Sequence, residues 1–193
     1  YYQTQAGVVI SASHNPFEYN GIKFFNADGY KLPDEVEDEI EELILNDKLD
    51  NISCTKTAEV GVIQVIDNAA LKYIDFLKST VNISLEGMKI AVDCANGASY
   101  KVAPTVLEQL GADVVIIGGC PNGKNINYNC GSTHPEALQQ FVLESKADAG
   151  LAFDGDADRL IAVDDKGELV DGDKILAICG IYLKEKGMLS KNT

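Results

Sequence analysis

Residues 88–117 read MKIAVDCANGASYKVAPTVLEQLGADVVII. Two apolar runs, 88–93 and 113–117, flank a segment of helical character, 100–110. Short Val- and Ile-rich runs separated by a helix fit neighbouring parallel strands joined by a crossover helix. The alternation continues on both sides. Upstream lies helix 69–79, with Leu71, Ile74 and Leu77 on one face. Downstream come helix 135–145 and the strand AGLAF, 149–153. Thr133-x-x-Glu136 reads as a capping box for that helix, and Pro135 suits its first position. RLIAV, the turn Asp165-Lys166-Gly167 and ELV then read as a hairpin, followed by a helix over 173–186 that Gly187 stops. The pattern predicts an α/β fold: three-layer units with mostly parallel mixed sheets. No short-period repeat interrupts it.

The first third is less regular. Residues 7–11 and 22–26 read as strands, and DEVEDEIEELILN, 34–46, reads as a helix. Val36, Ile40, Leu43 and Ile44 share one face of that helix, and Asp34 with Glu37 resembles a capping box. Its acidic face reads as solvated surface. Residues 47–59 are polar and irregular, and VGVIQVI, 60–66, reads as a strand leading into the second unit.

Composition narrows the function. Hydrophobic residues make up 46% of the 193, enough for a packed core in one or two domains. Thirty acidic residues against sixteen basic ones leave a net charge of -14, which argues against nucleic-acid and anionic-membrane partners. No apolar run approaches the length of a membrane span, and no charged-then-apolar leader opens the chain. The five cysteines, Cys54, Cys94, Cys120, Cys130 and Cys179, form no C-x-x-C pair. Free thiols in a reducing cytoplasm are the expectation. The start at Tyr1-Tyr2 without Met, and the end at Lys191-Asn192-Thr193, suggest a piece of a longer protein.

Two stretches carry chemistry. In ISASHNPFEYNGIKFF, 10–25, an apolar run gives way at once to Ser13-His14-Asn15-Pro16. Loops at strand ends are where reactive groups tend to stand. In FDGDADR, 153–159, Asp154, Asp156 and Asp158 recur at every second position after an apolar strand. Extended backbone would send these carboxylates to one side, where they repel unless a cation joins them. An all-oxygen set suits a hard ion such as Mg²⁺. An EF-hand loop would need Gly at its sixth place and Glu at its twelfth, where this chain has Arg159 and Asp165. An aspartate-nucleophile phosphatase is a closer rival, but would leave Ser13 unused. A serine-protease triad needs a His–Asp geometry that adjacency in sequence does not supply. His134 reads as an ordinary helix-start residue. Joined, the two stretches point to phosphoryl transfer, with Ser13 as phosphate carrier and His14, Lys23 and Arg159 as charge-balancing or proton-moving groups.

Ser-His-Asn-Pro, then Asn-Gly-Ile-Lys, then Asp-Gly-Asp-Ala-Asp-Arg, in this order and spacing, resemble the α-D-phosphohexomutases. Within that family GIKFFNADGYKLPDEVE, NCGSTHPEAL and FDGDADRLIAVDDKGELVDGDKIL resemble the hexosamine-phosphate branch, with hexose-phosphate mutases next. The resemblance covers essentially the whole chain. It implies that residues 1–67 are the later part of a first domain, 68–168 a complete second domain and 169–193 the start of a third of four. It further implies a phosphorylated Ser13, Mg²⁺ held by Ser13, Asp154, Asp156 and Asp158, and phosphate contact or catalytic assistance from Arg159. Lys23 would be the acid/base, with His14 and Asn15 lining the site. Substrate would be a phosphosugar, with a hexosamine 1,6-bisphosphate as intermediate and activator, and the full-length parent a homodimer candidate. A third-domain sugar-reading loop and a fourth-domain phosphate clamp are absent, so this piece alone is not expected to turn over. A non-catalytic phosphosugar- or metal-binding module is the different-class alternative.

Overall fold

The structure is a computed structural model and describes residues 2–46 and 61–189. The irregular stretch expected over 47–59, and Cys54 within it, lie outside the described residues. The chain divides into two compact units: Tyr1–Ser11 with Gly21–Asp67, and Ala12–Asn20 with Asn68–Thr193.

In the first unit β1 (Ala6–Ser11) and β2 (Gly21–Asn26) pair antiparallel, from Ala6 opposite Asn26 to Ser11 opposite Gly21. Asn26 closes the turn after β2, its Oδ1 accepting the N–H groups of Asp28 and Tyr30. Helix α1 (Asp34–Leu45) follows. The expected capping box is not formed there. Pro33 is the N-cap, so Asp34 already lies inside the first turn, where it joins Glu35 and Glu37 at the positive end of the helix dipole. The apolar residues of β1 are exposed, Val8 by 58% and Ile10 by 69%. Among the described residues this two-stranded ribbon has no second layer against which to bury them. The strand expected over 60–66 is absent from 61–66, which is exposed and unpaired among the described strands. Val62, Ile63 and Val65 have the composition of a strand but, among the described residues, no ladder neighbour.

The second unit follows the alternation in the sequence. Its elements are α2 (Ala69–Ser79), β3 (Lys89–Asp93), α3 (Val102–Gln109), β4 (Asp113–Ile117), α4 (Glu136–Ser145), β5 (Ala149–Phe153), β6 (Leu160–Asp164), β7 (Leu169–Val170) and α5 (Gly172–Glu185). The sheet order is β4-β3-β5-β6-β7. Strand β3 runs parallel to both β4 and β5, whereas β6 and β7 are antiparallel additions. The sheet is thus mixed, with a parallel centre and an edge formed by the expected hairpin.

Alternate residues of the central strands feed two cores, which makes the unit three-layered. Ala91, Ala152 and Val163 pack with Leu138 and Val142 of α4. Ile90, Val92 and Cys94 pack on the other face with Ala103 and Leu107 of α3. Leu138 and Val142 are fully buried. Truncating such a leucine to alanine costs about 2–5 kcal/mol. Helix α4 is capped at Pro135 with no side-chain bond, so Thr133 stands too early to close the expected box. Helix α5 is capped by Asp171, whose carboxylate accepts the Lys174 N–H at 2.9 Å. Cys94, Cys120, Cys130 and Cys179 are free thiols. Among the described residues no helix is long and apolar enough to cross a membrane.

Candidate functional site

Parallel neighbours β3 and β5 end in register, with Asp93 opposite Ala152, so the loops that follow them leave the same edge of the sheet. Open α/β sheets bind ligands at that carboxyl edge. The loop after β3 turns at Cys94–Gly97, where the Gly97 N–H donates to the Cys94 carbonyl. The loop after β5 presents the three aspartates. The Ala98 N–H donates to the Gly155 carbonyl at 2.8 Å, binding one loop to the other. A Cβ at Gly97 would collide with the backbone of Gly155, so this contact requires glycine.

The aspartates converge, but not through extended backbone. Asp154–Ala157 is a turn, closed by a 3.1 Å bond from the Ala157 N–H to the Asp154 carbonyl, with Ala157 at φ 62°. One carboxylate oxygen from each of Asp154, Asp156 and Asp158 lies within 4.8 Å of the others. They grade from buried Asp154 through half-buried Asp156 to exposed Asp158. Asp154 Oδ1 accepts the Arg159 backbone N–H at 3.2 Å. Its Oδ2 is buried with no hydrogen-bond partner. Burial, and then the neighbouring charges of Asp156 and Asp158, push the Asp154 carboxyl above its ordinary range, against the Arg159 N–H bond. A hard cation would meet this orphaned oxygen and reverse that repulsion, so the donor set fits a divalent ion of the Mg²⁺ type.

Ser13 stands in the segment Ala12–Asn20, which belongs to the same compact unit as the aspartates. Its Oγ donates to Asp156 Oδ1 at 3.2 Å, across 143 positions of sequence. The Asn15 N–H closes a turn onto the Ala12 carbonyl at 2.9 Å, and Ser13 within it has a left-handed backbone, φ 53°. Such a conformation is uncommon for a residue with a side chain and collects at functional sites. The His14 Nδ1 is buried without a partner, whereas Asn15 is exposed. Arg159 enters the cluster by its backbone N–H, and the residue is exposed. Lys23 stands on β2 opposite Val9, half-buried, in the other compact unit. Exposed His134 donates its N–H to the Gly131 carbonyl ahead of α4.

Two residues that the sequence did not single out hold these loops. Asp93, fully buried, accepts the Ala95 N–H on one oxygen and the Gly131 N–H on the other, at 2.9 and 2.6 Å. Asn127 donates from its side chain to the carbonyls of Ser13 and Asn15, both at 2.8 Å. The signal for Asn127 was its neighbourhood, Asn125-Ile126-Asn127-Tyr128-Asn129. Asn is the residue with a Cβ that best tolerates positive φ, and Asn127 and Asn129 adopt φ of 56° and 50°. Buried Cys94 and Cys130 flank the same region, and burial raises both thiols to about 11, so neither is a thiolate at neutral pH.

Known proteins resemble this chain over its whole length. Phosphoglucosamine mutase of Thermoanaerobacter sp. strain X514 is 60% identical over 192 residues, all of this chain and 42% of the relative. That of Acetivibrio thermocellus is 56% identical over 193 residues, covering 43% of its length. The chain thus spans less than half the length of these curated relatives. A phosphoglucomutase/phosphomannomutase family protein from Burkholderia thailandensis superposes with a TM-score of 0.73, over 94% of this chain and 38% of that one, and at 24% identity this likeness concerns the fold. The family model for phosphoglucomutase/phosphomannomutase α/β/α domain I matches residues 1–51, and that for domain II matches 71–167. With half of its residues inside the second model alone, the chain belongs to the phosphoglucomutase/phosphomannomutase family.

Proposed function

We propose that this chain is part of a cytoplasmic, Mg²⁺-dependent phosphoglucosamine mutase that interconverts glucosamine 6-phosphate and glucosamine 1-phosphate. The observation that carries the reading is the bond from Ser13 Oγ to Asp156 inside the aspartate cluster. A metal ligand and a hydroxyl nucleophile in contact suit phosphoryl transfer, in which positioning and charge compensation do most of the work. Residues 1–67 would be the later part of a first domain, 68–168 the second domain and 169–193 the start of a third. Helix α5 supports that last division, since Leu176, Ile178 and Ile181 are each at least 60% exposed. An apolar helix of this kind calls for cover from further chain.

Asp154, Asp156 and Asp158, with Ser13, would hold the cation. When bound, Mg²⁺ would supply a Lewis acid for phosphoryl oxygens and neutralise the carboxylates. Phosphorylated Ser13 passes its phosphoryl group to a sugar hydroxyl. The bond from phosphorus to Ser13 Oγ breaks and a bond to the sugar oxygen forms; the hydroxyl proton would go to Lys23 in its neutral amine form, and Ser13 Oγ takes up a proton from solvent to leave as a hydroxyl. The product is glucosamine 1,6-bisphosphate, which turns over and returns its other phosphate to Ser13. Arg159 offsets charge on the phosphate, and His14 and Asn15 line the site. The His14 Nδ1, buried without a partner, supports a ligand contact at that position.

A phosphomannomutase or phosphoglucomutase would use the same residues, and the names of the 54–60% identical relatives favour the amino sugar. A coupled assay of the full-length protein on glucosamine, mannose and glucose phosphates decides among them. The expected result is preference for glucosamine phosphate. Preference for mannose or glucose phosphate would move the assignment within the family, and no turnover on any of them would favour a non-catalytic binding module.

A further inference from the structure

We infer that Asn127 is the positioning residue that fixes the catalytic serine loop, and that it does so by donation from its amide rather than by filling space. The inference rests on the reading of Ser13 as phosphate carrier and adds to it the group that sets the direction of the Ser13 hydroxyl.

Asn127 is only 6% exposed, and its amide nitrogen spends both of its hydrogens on one loop. One goes to the Ser13 carbonyl and the other to the Asn15 carbonyl, each at 2.8 Å. Two carbonyl acceptors on the same side leave no choice about which end of the amide faces them, since an oxygen there would be repelled by both. The amide oxygen on the other side is buried and accepts no hydrogen bond. The side chain is therefore held by its donations, and space-filling alone would not select an amide.

The loop it holds is one that would not persist unaided. Ser13 lies at φ 53°, a costly conformation for a residue with a side chain that survives only when its surroundings over-determine it. The surroundings are specific. Asn127 grips the carbonyls on either side of His14. Asp156 receives the hydroxyl. Gly155 lies so close beneath that a Cβ on it would run into the Ser13 carbonyl, the Asn127 amide nitrogen and Ile126. Asn127 is itself anchored on the sheet side, its N–H donating to the Ala95 carbonyl at 2.9 Å. Asp93 accepts from both Ala95 and Gly131, so the segment bearing Asn127 is fastened to the end of β3. A continuous set of bonds thus runs from the central strand through Asn127 to the backbone of Ser13.

Three variants of the full-length protein separate donation from bulk. Asn127→Gly keeps the positive-φ backbone and removes the clamp. Asn127→Ala removes it with a small strain. Asn127→Asp keeps the shape but turns a carboxylate oxygen toward two carbonyls. If donation is what matters, the isosteric Asp variant is the worst of the three. Expected kcat falls about tenfold to a hundredfold for Gly and Ala and roughly a further tenfold for Asp, with KM within about threefold, because a displaced nucleophile loses rate rather than ground-state affinity. Amide exchange of peptide 12–20 should accelerate in all three while that of peptide 136–145 stays unchanged. An Asp variant as active as wild type, or more active than Gly and Ala, overturns the inference. Unchanged exchange over 12–20 overturns it as well. The exchange measurement does not need turnover, so a wild-type protein without mutase activity would sink the functional reading while leaving the clamp to be judged on its own.

Discussion

Replacing Asp156 by asparagine removes one charge from the aspartate cluster and almost nothing else. Asparagine keeps an Oδ1 acceptor, so the 3.2 Å bond from Ser13 Oγ can remain. What changes is the repulsion among carboxylate oxygens that lie within 4.8 Å of one another. At 4.8 Å two unit charges repel by about 1 kcal/mol in water and about 3.5 kcal/mol at an effective dielectric constant of about 20. Asp158 is exposed, so its share lies near the aqueous value, and salt with a Debye length of about 8 Å weakens it further. Asp154 is buried, so its share is larger, and burial with these neighbouring charges pushes its carboxyl above the ordinary range. The net relief in the metal-free chain is about 1–2 kcal/mol. For a chain of this size that is a rise in Tm of roughly 2–8 °C. The bound state should respond oppositely. Wild type gains about 2.7 kcal/mol at a hundredfold excess of ion over Kd, and a site with one carboxylate fewer gains much less at the same concentration. Thermal melts of both proteins, with Mg²⁺ and with chelator, measure all four values. A variant that melts lower than wild type without metal, yet shows the full Mg²⁺ shift, would refute both the repulsion and the ligand assignment.

Ser13→Ala in the full-length protein should abolish mutase turnover with Tm within about 2 °C of wild type, since a small loop substitution costs little stability; wild-type-like turnover in the purified variant would exclude the phosphoserine route. Gly155→Ala should cost about 1–3 kcal/mol and lower kcat, because its Cβ enters space held by the Ser13 carbonyl, Asn127 and Ile126; unchanged melting and kinetics would mean that the loops tolerate separation. Asp93→Asn tests a pH dependence. Burial pushes the Asp93 carboxyl above its ordinary range, outweighing its bonds to Gly131 and Ala95. The native state thus keeps a proton that the unfolded chain, with a pKa of about 3.9, has lost. Wild type should therefore lose stability relative to the asparagine variant as pH rises from about 4 through the native pKa. Urea melts across that range check it, and a wild-type-to-variant difference that stays constant with pH contradicts it.

The parts of the fold that were legible are those decided by local pattern. Strands β3, β4 and β5 are nearly continuous Val, Ile and Ala runs because both faces are covered, by α3 on one side and α4 on the other. Their boundaries in the structure differ from the expected ones by at most a residue. Pattern failed where the outcome depended on a neighbour. Residues 61–66 have strand composition but pair with no strand among the described residues. Apolar β1 has the composition of a buried strand, yet in a two-stranded ribbon Ile10 is 69% exposed. The capping boxes failed for a different reason. Pro33 and Pro135 each take the N-cap position, which shifts the register in which Asp34 and Thr133 would have served.

The site divides along the same line. The alternating aspartates of FDGDADR are local in sequence and announce an oxygen cluster, although a turn with Ala157 at positive φ brings them together rather than extended backbone. Ser13 was visible as an odd loop after an apolar run, but its bond to Asp156 spans 143 positions and no periodicity encodes it. Asn127 is harder still. An asparagine in an asparagine-rich turn is ordinary, and nothing within ten residues distinguishes one that caps its own turn from one that reaches 114 positions back to the Ser13 carbonyl. Asp93 is similar: a strand-end acid reads as exposed, and only the approach of Gly131, 38 residues later, makes it a buried acceptor of two backbone N–H groups. The residues proposed to meet a ligand thus leave local chemical signatures, because metal and phosphate require particular atom types close together. The residues that aim them leave almost none, because a single amide or carboxylate suffices and the fold alone determines which one it is.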